Sequence, residues 1–225
     1  MKILAALFAV TLLFSLPLAT LALENEDATV GLWLQDVSRD RCDVRAPDCE
    51  DEDIQLEGEL FFPYYAYLCV FNGESGNGIA GVDLGIRYDG SSNSGVDVFL
   101  WTKCTAQEFP STGWPQSGGG NVIIWDFIND CQRDEPGGFG EGVSAIAGFF
   151  YITAYSDDLL EVIPRPNSGF LKVANCEAAE SVLRTDQGGA LGFSEDGSIQ
   201  GRRGCFAPEV LESTWGDIKQ QYGNR

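Results

Sequence analysis

The feature that most constrains this chain is an alternation with a period of two residues. In "IAGVDLGIRYDG" (79–90), Ala80, Val82, Leu84, Ile86 and Tyr88 alternate with Gly81, Asp83, Gly85 and Arg87, and Asp89-Gly90 closes the stretch. Successive side chains of an extended chain point to opposite sides, so the pattern predicts a strand with one apolar and one wet face, ended by a turn. The same reading applies to "VGLWLQD" (30–36), "YAYLCVF" (65–71), "VDVFLW" (96–101), "NVIIWDFI" (121–128), "VSAIAGFFYITAYS" (143–156), "LEVI" (160–163), "GFLKVA" (169–174) and "GALGF" (189–193). Between them stand "NGESGNG", "DGSSNSG", "STGWPQSGGG", "RDEPGGFGEG", "PRPNSG" and "SEDG", all rich in turn-forming residues. Eight or nine strands with no helical periodicity between them predict an all-β fold, an antiparallel β-sandwich of immunoglobulin-like, cohesin-like or jelly-roll type, with a closed barrel as the alternative.

Two stretches carry more than alternation. The run 143–156 is apolar on both faces, with Val143, Ala145, Ala147, Phe149 and Tyr151 on one and Ile146, Phe150, Ile152 and Ala154 on the other. That places it at the centre of the core. In "FFPYYAYLCVF", Tyr65, Tyr67, Cys69 and Phe71 share one face, and Tyr64, Ala66, Leu68 and Val70 the other. If the second set is core, Tyr65 and Tyr67, extended by Trp114, form an exposed aromatic strip of the kind that stacks on sugar rings. The competing reading covers both faces of that strand.

The first 22 residues read as a secretory signal peptide. Lys2 supplies the positive end, Ile3 to Leu16 the apolar run, and Thr20-x-Ala22 the cleavage site, which would leave 203 residues. That length suits one sandwich domain over 23–207, followed by a tail over 208–225. An uncleaved membrane anchor is disfavoured by Pro17, and nothing downstream resembles a second span.

Charge excludes several classes of partner. The chain has 14 basic and 34 acidic residues, a formal net charge of −20, and no histidine. So negative a surface repels phosphate backbones and anionic lipid, so neither nucleic acid nor stable membrane insertion is expected. Without histidine there is no Ser-His-Asp triad, Cys-His pair or imidazole metal site.

The acids themselves raise two possibilities. Asp48, Glu50, Asp51, Glu52 and Asp53 fall close enough to ligate calcium, which binds several oxygens at once, but the spacing is not that of an EF-hand and a solvated acidic loop is the preferred reading. A second stretch, Asp89 to Asp97, reads as a hairpin loop before it reads as a cation site. Paired carboxylates also serve glycoside hydrolases, but "EDEDIQLEGE" lacks the alternation such a pair needs on one strand.

Seven cysteines in an exported chain read as disulfides. Pairing sequence neighbours gives Cys42–Cys49, Cys104–Cys131 and Cys176–Cys205, with Cys69 left free.

The chain ends "ESTWGDIKQQYGNR". Thr214 is placed to cap a short helix on which Trp215, Ile218 and Tyr222 form one apolar stripe. Such a helix is marginal alone and needs a docking surface, its own domain or a partner's. With Gly216 and Lys219 these residues make a "TWGxIKxxY" pattern that resembles the ending of uncharacterised secreted proteins of uncultivated bacteria. Those proteins also share a signal peptide, a "VGLW"-like first strand and an "iaGvdlgi"-like strand. The resemblance implies an extracytoplasmic sandwich similar to cohesin and immunoglobulin-like domains, and no activity.

The sequence therefore predicts a secreted, disulfide-stapled, non-enzymatic binding, adhesion or envelope-associated module whose partner is a protein or glycan at the cell surface. A carbohydrate-binding module using the aromatic strip and a carboxylate-based glycoside hydrolase are the alternatives.

Overall fold

A computed structural model describes residues 25–47, 53–133 and 142–204. The strands are β1 (Thr29–Asp36), β2 (Glu57–Gly58), β3 (Pro63–Gly73), β4 (Gly81–Arg87), β5 (Val96–Lys103), β6 (Gln107–Pro110), β7 (Gly120–Ile124), β8 (Val143–Ala154), β9 (Asp158–Ile163), β10 (Leu171–Ala174), β11 (Glu180–Leu183) and β12 (Ala190–Phe193). Two single turns of 3-10 helix, at 41–43 and 185–187, are the helical elements among the described residues. No helix there is long and apolar enough to cross a membrane. The helix expected around Trp215, Ile218 and Tyr222, and both expected domain limits, lie outside the described residues.

The strands form two sheets, as a sandwich requires. One has the order β1-β3-β8-β5. In the other, β4 carries β7 and then β6 on one edge. On its opposite edge β4 pairs with two strands placed end to end: β10 beside 81–83 and β9 beside 85–87. The seven residues 164–170 loop out between those two strands, from Ile163 opposite Gly85 to Lys172 opposite Asp83. Outward from them lie β11 and β12, and β2 joins β12 in parallel. Apart from that pair, every pairing of named strands among the described residues is antiparallel.

The main core lies between the sheets. Leu32 and Leu34, Ala66, Leu68 and Val70, Val82, Leu84 and Ile86, and Leu160 and Val162 all enter it, each from the alternate positions of its strand. Phe150 and Trp125 also belong to it and are almost wholly buried. The two predicted faces of β3 are both correct: Tyr64, Ala66, Leu68 and Val70 enter this core, while Tyr65, Tyr67, Cys69 and Phe71 face away from it.

The strand β8 is central, paired with β3 on one edge and β5 on the other. Its faces, however, are not the ones the alternation implies. Val143, Ala145 and Ala147 enter the main core, but so do Phe150, Ile152 and Ala154, while Phe149 faces out. The register explains the change: Leu68 pairs with Gly148 and Cys69 with Ile146, so Ala147 is an extra residue and the alternation slips by one. Gly148 is required beside this bulge, because a Cβ there would lie 2.5 Å from both the Trp101 ring and the Thr102 carbonyl oxygen.

The expected disulfides are wrong in the two cases the structure describes. Cys42 joins Cys104 (Cα–Cα 5.4 Å) and Cys131 joins Cys176 (5.8 Å). These replace Cys42–Cys49, Cys104–Cys131 and Cys176–Cys205, while Cys49 and Cys205 themselves lie outside the described residues. The physical reason is that sheet pairing, not sequence distance, decides which cysteines meet. The bridge Ile79↔Gln132 and the bond from Cys176 N–H to Asn77 O draw the ends of β7 and β10 to one place. Cys69 is unpaired, as expected, and wholly buried; burial pushes its thiol well above its ordinary value.

Candidate functional site

The outer faces of the two sheets differ, and the difference locates the site. On the four-stranded sheet, Trp33, Tyr67 and Phe149 form a row across β1, β3 and β8, with Trp33 stacked on Tyr67 at 4.8 Å. Tyr65 packs on Phe149 at 4.7 Å. Val44, Ala46, Ile54 and Cys104 cover this row, and the Tyr67 hydroxyl donates to the Arg41 carbonyl oxygen (2.7 Å). Tyr65 is 8% exposed and Tyr67 is 0% exposed. The predicted strip of Tyr65, Tyr67 and Trp114 is thus corrected: the two tyrosines form a second, small core. Trp114 lies apart from them, against Trp101 and Phe150 at the rim of the main core. Sequence placed the tyrosines on the correct face but could not show that a loop closes over them.

The eight-stranded sheet has no such cover at its centre. Register puts Val182, Lys172, Asp83, Val122 and Phe109 in one row across β11, β10, β4, β7 and β6. The adjacent row is Glu180, Ala174, Gly81, Ile124 and Gln107. Five strands at about 4.8 Å spacing make each row about 19 Å long. Because Ala174 and Gly81 are small, the second row is sunk. It forms the floor of a groove of about 520 Å³, bounded on one side by Lys172, Asp83 and Val122 and on the other by Trp125, Asp126 and Phe127. A Cβ added at Gly81 would sit 3.5 Å from the Ala174 Cβ, an ordinary contact, so the space above the glycine is open. Phe109 (55% exposed), Phe127 (57%), Phe170 and Val182 stand around the groove as exposed apolar side chains.

The groove also contains charge. Asp83 lies 3.6 Å from the Arg165 guanidinium and accepts a bond from the Ser168 hydroxyl at 3.3 Å. Both partners come from the loop between β9 and β10, closed by the bond from Arg165 N–H to Phe170 O and by bonds from the Ser168 and Gly169 N–H groups to Arg165 O. Burial pushes the Asp83 carboxyl above its ordinary value, and Arg165, Ser168 and Lys172 oppose that without reversing it. Lys172 reaches Glu180 at 2.7 Å and lies 5.4 Å from the centre of the Phe170 ring. Asp126 is occupied differently. It accepts bonds from Asn129 and from the backbone N–H groups of Ile128 and Asn129, which hold its carboxyl below its ordinary value. Each acid of the groove therefore has a partner, although Asp83 Oδ1 and Arg165 Nε, 3.6 Å apart, are buried without a hydrogen bond.

Asp83 was legible in sequence as an outward-facing acid on its strand, but nothing there pointed to Arg165 or Lys172. The strand β11, which supplies Glu180 and Val182, and the strand β6, which supplies Phe109, were not predicted. β6 ends in Pro110 and lies at a sheet edge, the position where proline is tolerated and where periodicity is weakest. The predicted strand 121–128 stops at Ile124, because Asp126 caps a turn that swings Phe127 to the groove's rim.

Of the predicted calcium ligands, Asp53 is exposed, and Asp48, Glu50, Asp51 and Glu52 lie outside the described residues. Among the described residues, no group of three or more acids or cysteines is arranged to hold a metal ion.

No protein-family model matches the chain, and no curated protein matches it. Among solved structures it is similar to a type II cohesin domain from the cellulosome of Acetivibrio cellulolyticus (TM-score 0.44, 7% identity, 73% of this chain and 94% of that one). It is likewise similar to a cohesin module of a family 33 glycoside hydrolase from Clostridium perfringens (TM-score 0.43, 7% identity, 74% and 98%). A third is a type I cohesin–dockerin complex from Clostridium thermocellum (TM-score 0.41, 8% identity, 73% and 99%).

Proposed function

We propose that this chain is a non-enzymatic binding module that holds a partner protein against the open face of its eight-stranded sheet. The observation that carries the reading is the groove itself: a floor of small residues across five strands, ringed by exposed phenylalanines and valine and crossed by the Asp83–Arg165 and Lys172–Glu180 pairs. Exposed apolar clusters rimmed by charge are uncommon on surfaces that meet only water. The apolar rim supplies affinity and the ion pairs orient the partner. A protein partner fits better than a sugar at this site, because its exposed rings are phenylalanines with no polar handle. A hydrolytic role fits poorly, since Asp83, Glu180 and Asp126 are each held by a neighbour instead of facing one another across a bond to be cleaved. The two disulfides among the described residues support a working place outside the reducing cytoplasm, in keeping with a secreted or envelope-associated adhesion module.

The test is a selection of displayed peptide libraries, helical and extended, on the immobilised chain. Binders are expected whose affinity falls at least tenfold, about 1.4 kcal/mol, on Ile124→Asp, with an unchanged melting temperature. Binders indifferent to Ile124→Asp and Val122→Asp would send the search to another face.

A further inference from the structure

The outer face of the four-stranded sheet is covered only in part, and its uncovered end carries a second set of rings. Tyr151 lies in the row Gln35–Tyr65–Tyr151–Leu100, and the next row is Pro63–Thr153–Asp97. Beyond it Tyr155 lies in the bend that follows β8, its N–H bonded to Gly95 O (2.7 Å). Tyr151 stands on β8 and Tyr155 just past its end, four residues on. Each has a phenylalanine beside it: Phe99 at 5.7 Å from Tyr151 and Phe61 at 6.1 Å from Tyr155.

Both phenylalanines are held outward by departures from regular backbone. The register of β5 shifts between Val98 and Leu100, so Phe99 is an extra residue, and it and Leu100 are both about half exposed (53% and 54%). Phe61 has φ of 63°, in the left-handed region, yet its ring is 70% exposed. A non-glycine residue held there is strained, and the exposed ring returns little of that cost through burial. Between the ring pairs lie Thr153 and Asp97. Next to Phe99 is a hollow of about 220 Å³ lined by Tyr88, Ser92, Asp97 and Gln116. Asp97, which accepts from the Asn93 N–H, puts a negative charge beside Phe99, and the chain as a whole carries a net charge of −20, which disfavours anionic polymers and acidic lipid headgroups.

We infer that this strip binds a neutral polysaccharide chain, with sugar rings laid on Phe61–Tyr155 and Phe99–Tyr151 and hydroxyl groups bonded to Asp97, Gln116 and the tyrosine hydroxyls. Two ring pairs, one edge-on and one tilted, separated by the polar Thr153 and Asp97, suit a linear, repeating ligand with apolar ring faces and polar edges. The strip lies on the opposite sheet from the groove and does not depend on it, so the chain would join a glycan on one side to a protein on the other.

The experiment is affinity electrophoresis of the full chain through gels containing hydroxyethylcellulose, xyloglucan, mixed-linkage β-glucan or galactomannan, with carboxymethylcellulose as a charged control. Retardation by at least one neutral polymer is expected, weakened tenfold or more by Phe61→Gly and by Phe99→Ser, and unchanged by Ile124→Asp. Glycine adopts the Phe61 backbone without strain and Phe99 is exposed, so both variants are expected to melt as the parent does. No retardation by any neutral polymer, retardation that both ring variants retain, or a strip that instead retains only a protein would each overturn the inference.

Discussion

The two outer faces of this sandwich are built from similar material and end in opposite states. On the four-stranded sheet the row Trp33–Tyr67–Phe149 is closed over by the segment 41–46, tied down at Cys42–Cys104 and at the Tyr67 hydroxyl. On the eight-stranded sheet the row Lys172–Asp83–Val122–Phe109 stays open, and its neighbour is sunk by Gly81 and Ala174. An aromatic-rich face is therefore not by itself a binding face. What decides is whether the chain has a loop long enough, and fastened well enough, to cover it.

That contrast can be broken most forcefully at its centre. Tyr67→Ala removes a fully buried ring and is expected to cost about 3–5 kcal/mol, whereas Val122→Ala on the open face should cost less than about 1 kcal/mol. Urea midpoints measure both, and equal losses would mean that the two faces are alike. Next in size is the staple. Replacing Cys42 and Cys104 together by alanine is expected to remove about 2–4 kcal/mol and to shift Trp33 emission to the red as its cover loosens.

A smaller effect should appear at alkaline pH. Burial, then the neighbouring Tyr65 and Asp40, push Tyr67 up to about 12, and burial chiefly does the same to Tyr88. A folded value above the unfolded value of 10.0 means that the folded state keeps its proton longer. The resulting stability is complete below pH 10 and disappears as pH rises through about 12. Tyr67→Phe should flatten that decline in melts between pH 9 and 12; an unchanged slope would remove Tyr67 from the account.

The finest comparison lies within the groove. Asp83 is raised by burial, and its contribution is present in acid and lost as pH rises through its folded value. Asp126 is lowered by Asn129 and its own turn, and its contribution is present above its ordinary value and lost as pH falls. Carboxyl carbon shifts should show Asp126 deprotonating first as pH is raised, and the reverse order would contradict the hydrogen bonding described for both.

The legible part of the fold was the local part. Tyr65, Tyr67, Cys69 and Phe71 against Tyr64, Ala66, Leu68 and Val70 could be sorted from sequence because neighbouring side chains of a strand must alternate. The same rule placed Asp83 on the outside of β4. It failed on β8 beyond Ala147, where one inserted residue reverses the faces, since a bulge leaves no mark on composition. It also failed for the short strands β6 and β11, whose few residues carry too little alternation to distinguish them from loop.

By itself, then, the sequence determined an all-β chain with a sorted inside and outside, an acidic surface, and a chemistry without histidine, because each depends on residues close together or on simple sums. Only the tertiary structure decided that Cys42 meets Cys104 and Cys131 meets Cys176, that Tyr67 is covered while Val122 is open, and that Arg165 reaches Asp83 from a loop between two collinear strands. Those facts depend on the register between strands far apart in the chain, and register is set by the packing of the whole sandwich.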